Sequence, residues 1–226
     1  MSPTIIELVG LPGVGKSTIT KQATQSLTNH HTVSTPTYSH EHTSAVYRIP
    51  TKLSFGLGSS ILHPTTTHKL LNLIYDSNQQ TLADVIKTSF NITYVLGLLA
   101  NARQSNHDIV LLDQGFYQAL WSIAYSAQTR LDITNTADLL PPQLRPDIVY
   151  VITASEQEIQ RRVTQREKTD TRYDPNSRQA DRGTQLMSSL QEYLTDECPS
   201  IQTRVLQNET RADLSHIVQQ LEADII

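Results

Sequence analysis

One cysteine, one tryptophan, two methionines and three phenylalanines in 226 residues leave little with which to build a disulfide framework or a metal cluster. The lone Cys198 has no intramolecular partner, which fits a reducing compartment, and reads best as a small buried hydrophobe. Basic charge is also short. Against 22 Asp and Glu stand 18 Lys and Arg, a net charge of −4, so no general positive field exists to draw in nucleic acid. No apolar run approaches the roughly 18–20 residues that span a bilayer, and the N-terminus enters a strand pattern without a basic-then-apolar leader. These absences predict a cytoplasmic protein with neither membrane nor nucleic acid as a partner. Repeats and low-complexity tracts are missing too, and the length suits one domain spanning residues 1–226.

What is present alternates. "TIIELVG", Thr4 to Gly10, is an apolar run closed by a turn residue, the form of a strand buried on both faces. A helix over Lys16 to Leu27 follows, then a strand over His31 to Tyr38. Ser39 to Thr67, broken by Pro50, Gly56, Gly58 and Pro64, reads as a long irregular connection. Helical spacing returns over His68 to Tyr75 and Leu82 to Arg103. "DIVLLDQG", Asp108 to Gly115, is a second buried strand, followed by a helix over Gln118 to Gln128. "DIVYVIT", Asp147 to Thr153, is another strand, and Ser155 with Glu158 forms a capping box for the next helix. A helix over Asp181 to Asp196, a strand over Thr203 to Gln207 and a closing helix over Arg211 to Ile225 complete the pattern. Five strands separated by helices predict an α/β fold, a three-layer α/β/α arrangement around a five-stranded parallel sheet with right-handed crossovers. Ligands in such folds sit at the carboxyl ends of strands, where Gly10, Asp113, Thr153 and Asn208 all fall.

"GLPGVGKST", Gly10 to Thr18, occupies the first of those ends and matches G-x-x-x-x-G-K-[ST]. Glycines let backbone N–H groups turn inward around phosphate oxygens, and the following helix aims its unpaired donors at the same anion. Gly10, Gly13, Val14, Gly15, Lys16, Ser17 and Thr18 are thus the candidate cradle of a nucleoside triphosphate. Lys16 supplies a point charge for the β and γ phosphates, and Ser17 offers its hydroxyl to Mg²⁺. Asp113 ends the strand "IVLLD"; a carboxylate there can hold Mg²⁺ through water or take a proton from an attacking hydroxyl, or merely cap the next helix. Basic residues concentrate between Arg161 and Arg182. Arg162 and Arg166 share a helix face, and with Lys168, Arg172, Arg178 and Arg182 they predict a lid, residues 160–182, that closes over the triphosphate.

These segments together resemble the P-loop nucleoside and nucleotide kinases, thymidylate kinase among them. The likeness rests on "GLPGVGKST", "IVLLDQG", "LRPDIVYVIT" at Leu144 to Thr153 and the arginine helix leading to "TRYD" at Thr171 to Asp174. The resemblance implies an ATP-dependent phosphotransferase in which Asp113 acts on the acceptor side and Arg162, Arg166 and Arg172 close on the donor. Two departures bear on the acceptor. "STPTYSHEH" stands where the family carries an acceptor-binding Arg-Glu-Pro, and Asp113-Gln114 replaces the family's Asp-Arg. Loss of that arginine removes a donor for an acceptor phosphate, which leaves a neutral nucleoside, another small hydroxyl compound, or a ligand held by Arg48 or Arg103.

A GTPase is disfavoured, since Phe116 occupies the position of its required glycine and no Asn-Lys-x-Asp base reader exists. The nucleotide is therefore expected to be ATP, its base meeting the loop Asn208 to Arg211. The pair His40 and His42 around Glu41 suits solvent exposure more than metal binding. Trp121 and Tyr125, a turn apart, read as core ahead of an acceptor wall, and Thr37, Tyr38 and Glu41 as better-placed pocket residues. The competing function is an ATPase or nucleotide switch acting through a protein bound at the Ser39 to Thr67 connection. A homodimer is left open.

Overall fold

A computed structural model describes residues 2–37, 63–165, 173, 175, 177 and 179–225. Its frame is a parallel sheet of five strands: β1 (Thr4–Val9), β2 (Val33–Ser34), β3 (Ile109–Leu112), β4 (Ile148–Thr153) and β5 (Gln202–Gln207), in the order β2-β3-β1-β4-β5. The motif-bearing β1 is central, paired with β3 from Thr4–Ile109 and with β4 from Ile6–Ile148. Ile5, Ile6, Leu8 and Val9 are wholly buried, as strands covered on both faces require. At the sheet edge β5 alternates between exposed and half-buried positions and leaves Val205 open to solvent.

Helices form the outer layers. α1 (Lys16–Leu27) packs against α8 (Arg211–Ile225). In the other layer α3 (Leu82–Arg103) packs on α2 (Pro64–Asp76) and α4 (Phe116–Ser126), and α4 on α7 (Ala180–Glu192). Two short pieces complete the described α-helices, α5 (Ile133–Ala137), capped by Asp132, and α6 (Glu156–Thr164), capped by Ser155 as the capping-box pattern predicts. The α/β/α architecture read from the sequence is the one observed.

Several boundaries differ, each for a physical reason. β2 has only two residues, paired with β3 at Val33 and Ser34, because helical backbone begins at Pro36, whose missing N–H cannot extend the ladder. Pro64, read as a breaker, opens α2 from its first turn, where the missing N–H costs nothing and the fixed φ suits a helix. α4 begins at Phe116, ahead of the expected Gln118, because its N-terminal amides are held by a side chain from β1. α3 is long and apolar enough to cross a membrane by length and composition, a feature the search for apolar runs passed over. Here its apolar second half, Tyr94 to Ala100, is buried against neighbouring helices. The irregular connection expected before residue 67 lies largely outside the described residues, as do Tyr38, His40, Glu41, His42 and Arg48.

Candidate active site

The turn after β1 closes tightly over its neighbours. A side chain at Gly10 would meet the Ile152 carbonyl at 2.3 Å, so only glycine lets the loop pass under the end of β4. Gly15 sits at φ +100° with Asn208 Nδ2 2.5 Å from where its Cβ would be, a conformation and a contact that both exclude other residues. From Gly15 the chain enters α1, and the opening amides of a helix are the ones its intrahelical ladder leaves over for a ligand. Thr18 is already within the helix, its N–H donating to Gly15 O at 3.0 Å and its side chain exposed.

The loop is braced from behind. Val14, buried, offers its carbonyl to Asn208 Nδ2 at 2.7 Å and to Arg162 at 3.0 Å. Arg162 also pairs with Glu158 at 2.6 Å. Hydrogen bonds from Arg161, and then from Arg162, hold the Glu158 carboxyl down at about 2. Two expected roles change as a result. Asn208 was placed against a base, but its amide is engaged with the loop and the residue is buried. Arg162 was placed on a lid, but its guanidinium grips loop carbonyls and the Glu209 carbonyl. Arg166 and Arg172 lie outside the described residues. Arg103, a candidate for acceptor binding, is at the opposite end of the sheet, paired with Asp147 at 2.8 Å. Asp147 in turn accepts from the amide of Ile5 at the start of β1.

In front of the loop lie the groups with chemistry. Lys16 Nζ donates to Gly10 O at 2.6 Å and Leu11 O at 3.3 Å. Ser17 donates to Asp113 Oδ2 at 3.3 Å. Asp113, at the end of the neighbouring strand and 1% exposed, leaves Oδ1 without a partner among the described residues. A buried carboxylate oxygen with no donor, beside a hydroxyl, fits a cation or a proton-bearing hydroxyl. The backbone amide of Asp113 is held by Thr37 Oγ1 at 3.1 Å, which gives the predicted pocket residue Thr37 a positioning place.

These groups form one side of a cavity of about 300 Å³. The other side is aromatic. Trp121 and Tyr125 stack at 5.1 Å and 11°, and Tyr173 tilts against both at 6.1 and 5.9 Å. Trp121 Nε1 donates to Gly183 O at 2.9 Å, fixing α4 to α7. These rings are buried, as the core reading required, and they also line the cavity, so the two readings are compatible. Among the described lining residues Lys16 and Asp113 alone carry charge. No cluster of metal-ligating side chains occurs among the described residues.

Sequence reasoning passed over Glu7 and Gln118. Glu7 is wholly buried in β1 and accepts from the amides of Phe116 at 3.1 Å and Gln118 at 3.0 Å. Burial pushes its carboxyl from 4.5 up to about 8 against the pull of the α4 amides. An acid within an apolar run was the available signal.

An AAA domain family matches residues 5–190, a span that takes in the loop, Asp113 and the aromatic wall. The chain belongs to the AAA domain family. This AAA domain also shares its fold with solved kinases. A deoxyadenosine kinase from M. mycoides with bound dATP aligns with a TM-score of 0.55 at 14% identity, over 97% of this chain and 100% of that one. Thymidylate kinase from Candida albicans aligns at 0.54 and 17% identity, over 99% and 91%. The alignments over nearly the whole chain show the P-loop kinase fold of the AAA domain, and identities this low leave its substrate to the site itself. No curated protein matches the sequence.

Proposed function

We propose that this protein transfers the γ-phosphoryl group of ATP to the hydroxyl of a neutral, planar-ringed acceptor of the nucleoside class. One observation carries the reading: a phosphate-binding turn, the Ser17–Asp113 pair and an aromatic-walled cavity are contiguous, and the described lining offers no cation beyond Lys16. A phosphorylated acceptor would need a second positive partner for its charge. A stacked aromatic wall suits a heterocycle, and about 300 Å³ is at the small end of the range for ligand pockets.

In this reading the loop amides and Lys16 hold the triphosphate and neutralise charge that develops on the transferring group. Lys16 leaves the Gly10 and Leu11 carbonyls to do so. Ser17 and Asp113 are the residues that would hold Mg²⁺, which when bound would offset negative charge on the triphosphate. The Asp113 carboxylate also stands where it can accept the proton of an attacking hydroxyl. Asn208 and Arg162 keep the loop in shape. Arg166 and Arg172 retain the donor-closing role implied by resemblance.

The test is consumption of ATP in the presence of Mg²⁺ against a panel of nucleosides, nucleoside monophosphates and other hydroxyl metabolites, with Lys16→Met as the control. Stimulation by a nucleoside, lost in Lys16→Met, is the expected result. Turnover that responds to no small molecule and rises with an added protein would replace the kinase reading with that of a switch.

A further inference from the structure

Gly10 is held on both sides of its residue. Its N–H donates to Gln118 Oε1 at 3.1 Å, while its carbonyl receives Lys16 Nζ at 2.6 Å. Gln118 lines the cavity and belongs to α4, the helix that carries Trp121 one turn further on. Glu7 grips the start of that helix through the amides of Phe116 and Gln118. The fit leaves no slack, since a Cβ on Gly115 would stand 2.3 Å from the Glu7 carboxyl carbon. An acid in the middle of a buried strand costs free energy that a leucine there would not. The described hydrogen bonds of its carboxyl all run to α4.

We propose that Glu7 and Gln118 are positioning residues that tie the acceptor cavity to the phosphate loop, so that nucleotide bound at the loop is felt at Trp121. The inference rests on the reading that the loop holds ATP. When Lys16 leaves the Gly10 carbonyl for a phosphate, the Gly10–Leu11 peptide loses that partner. Across the Gly10 Cα, the Val9–Gly10 peptide keeps its bond to Gln118, which passes the shift of the residue to α4, whose start Glu7 has fixed. The acceptor wall and the donor cradle then adjust together, and each ligand alters the affinity of the other by the same factor.

The chain has one tryptophan, so its emission reports on the acceptor wall alone. The experiment adds adenylyl imidodiphosphate with Mg²⁺, and no acceptor, to the full-length protein, with binding measured independently by calorimetry. Wild type should bind and change its Trp121 emission. Gln118→Leu, which removes the acceptor of the Gly10 N–H at similar volume, should bind within about threefold of wild type yet lose most of the emission change. Gln118→Glu keeps an oxygen for that N–H and should restore it, which a merely structural role for the side chain would not predict. Gln118→Met serves in place of the leucine variant if that one fails to fold. Binding with an unchanged emission response in the leucine or methionine variant, or binding by wild type with no response, overturns the tie. Absence of binding by wild type in the calorimeter overturns the ATP reading itself.

Discussion

Raising the pH from 6 to 8 should weaken this protein by about 2 kcal/mol through one side chain. Glu7 is wholly buried, and burial lifts its carboxyl from 4.5 to about 8. Across that window the folded chain holds a proton on Glu7 that the unfolded chain has already released. Folding therefore takes up a proton, and stability from this group, fully present below pH 4.5, is lost as the pH rises towards 8. The slope approaches 1.4 kcal/mol per pH unit and flattens near the folded value, which gives about 2 kcal/mol between pH 6 and 8. Glu7→Gln keeps the shape and a carbonyl for the α4 amides but cannot titrate. Urea unfolding of both proteins at half-unit steps of pH isolates the effect, because every other group is common to the pair. The stability difference, wild type minus variant, should fall by about 2 kcal/mol across the window. Parallel curves would mean that the α4 amides outweigh burial and hold Glu7 ionised, and the argument from desolvation would be refuted.

Two further outcomes test the chemistry. Asp113→Asn should lower turnover by about 10²- to 10⁴-fold with the melting temperature nearly unchanged, since the amide keeps an oxygen for Ser17 and Oδ1 makes no described bond to lose; steady-state kinetics and a thermal melt read both. Gly183→Ala should raise the acceptor KM while leaving that for ATP within about twofold, because its new methyl meets Tyr173 at 2.9 Å and Tyr125 at 3.2 Å and displaces the aromatic wall alone.

Local chemistry and long-range contact divide what could be read from the sequence. The cradle Gly10 to Thr18 was legible because glycines, lysine and hydroxyl must follow one another along a single turn. Asp113 was legible because an apolar strand ending in a carboxylate has few other uses. Ser155 announced its helix through a capping box four residues long. Asn208 and Arg162 were legible as site residues but not in the contacts they make, and Glu7 showed only as an acid within an apolar run. Each acts on a backbone group far away in sequence, on Val14 in the first two cases and on α4 in the third. The early start of α4 was illegible for the same reason, as its cap comes from β1. Trp121 and Tyr125 posed a choice between core and wall that spacing could not decide, since a buried ring can also border a cavity.

The bracing of the loop sets an order of events during synthesis. A nascent chain that has released the motif from Gly10 to Thr18 has neither Ile152, under which Gly10 passes, nor Asn208, which steadies Val14. The last of these supports is made 194 residues after Val14. Until the chain has been made as far as Asn208 the loop lacks its brace, and the proposed capture of nucleotide waits on it.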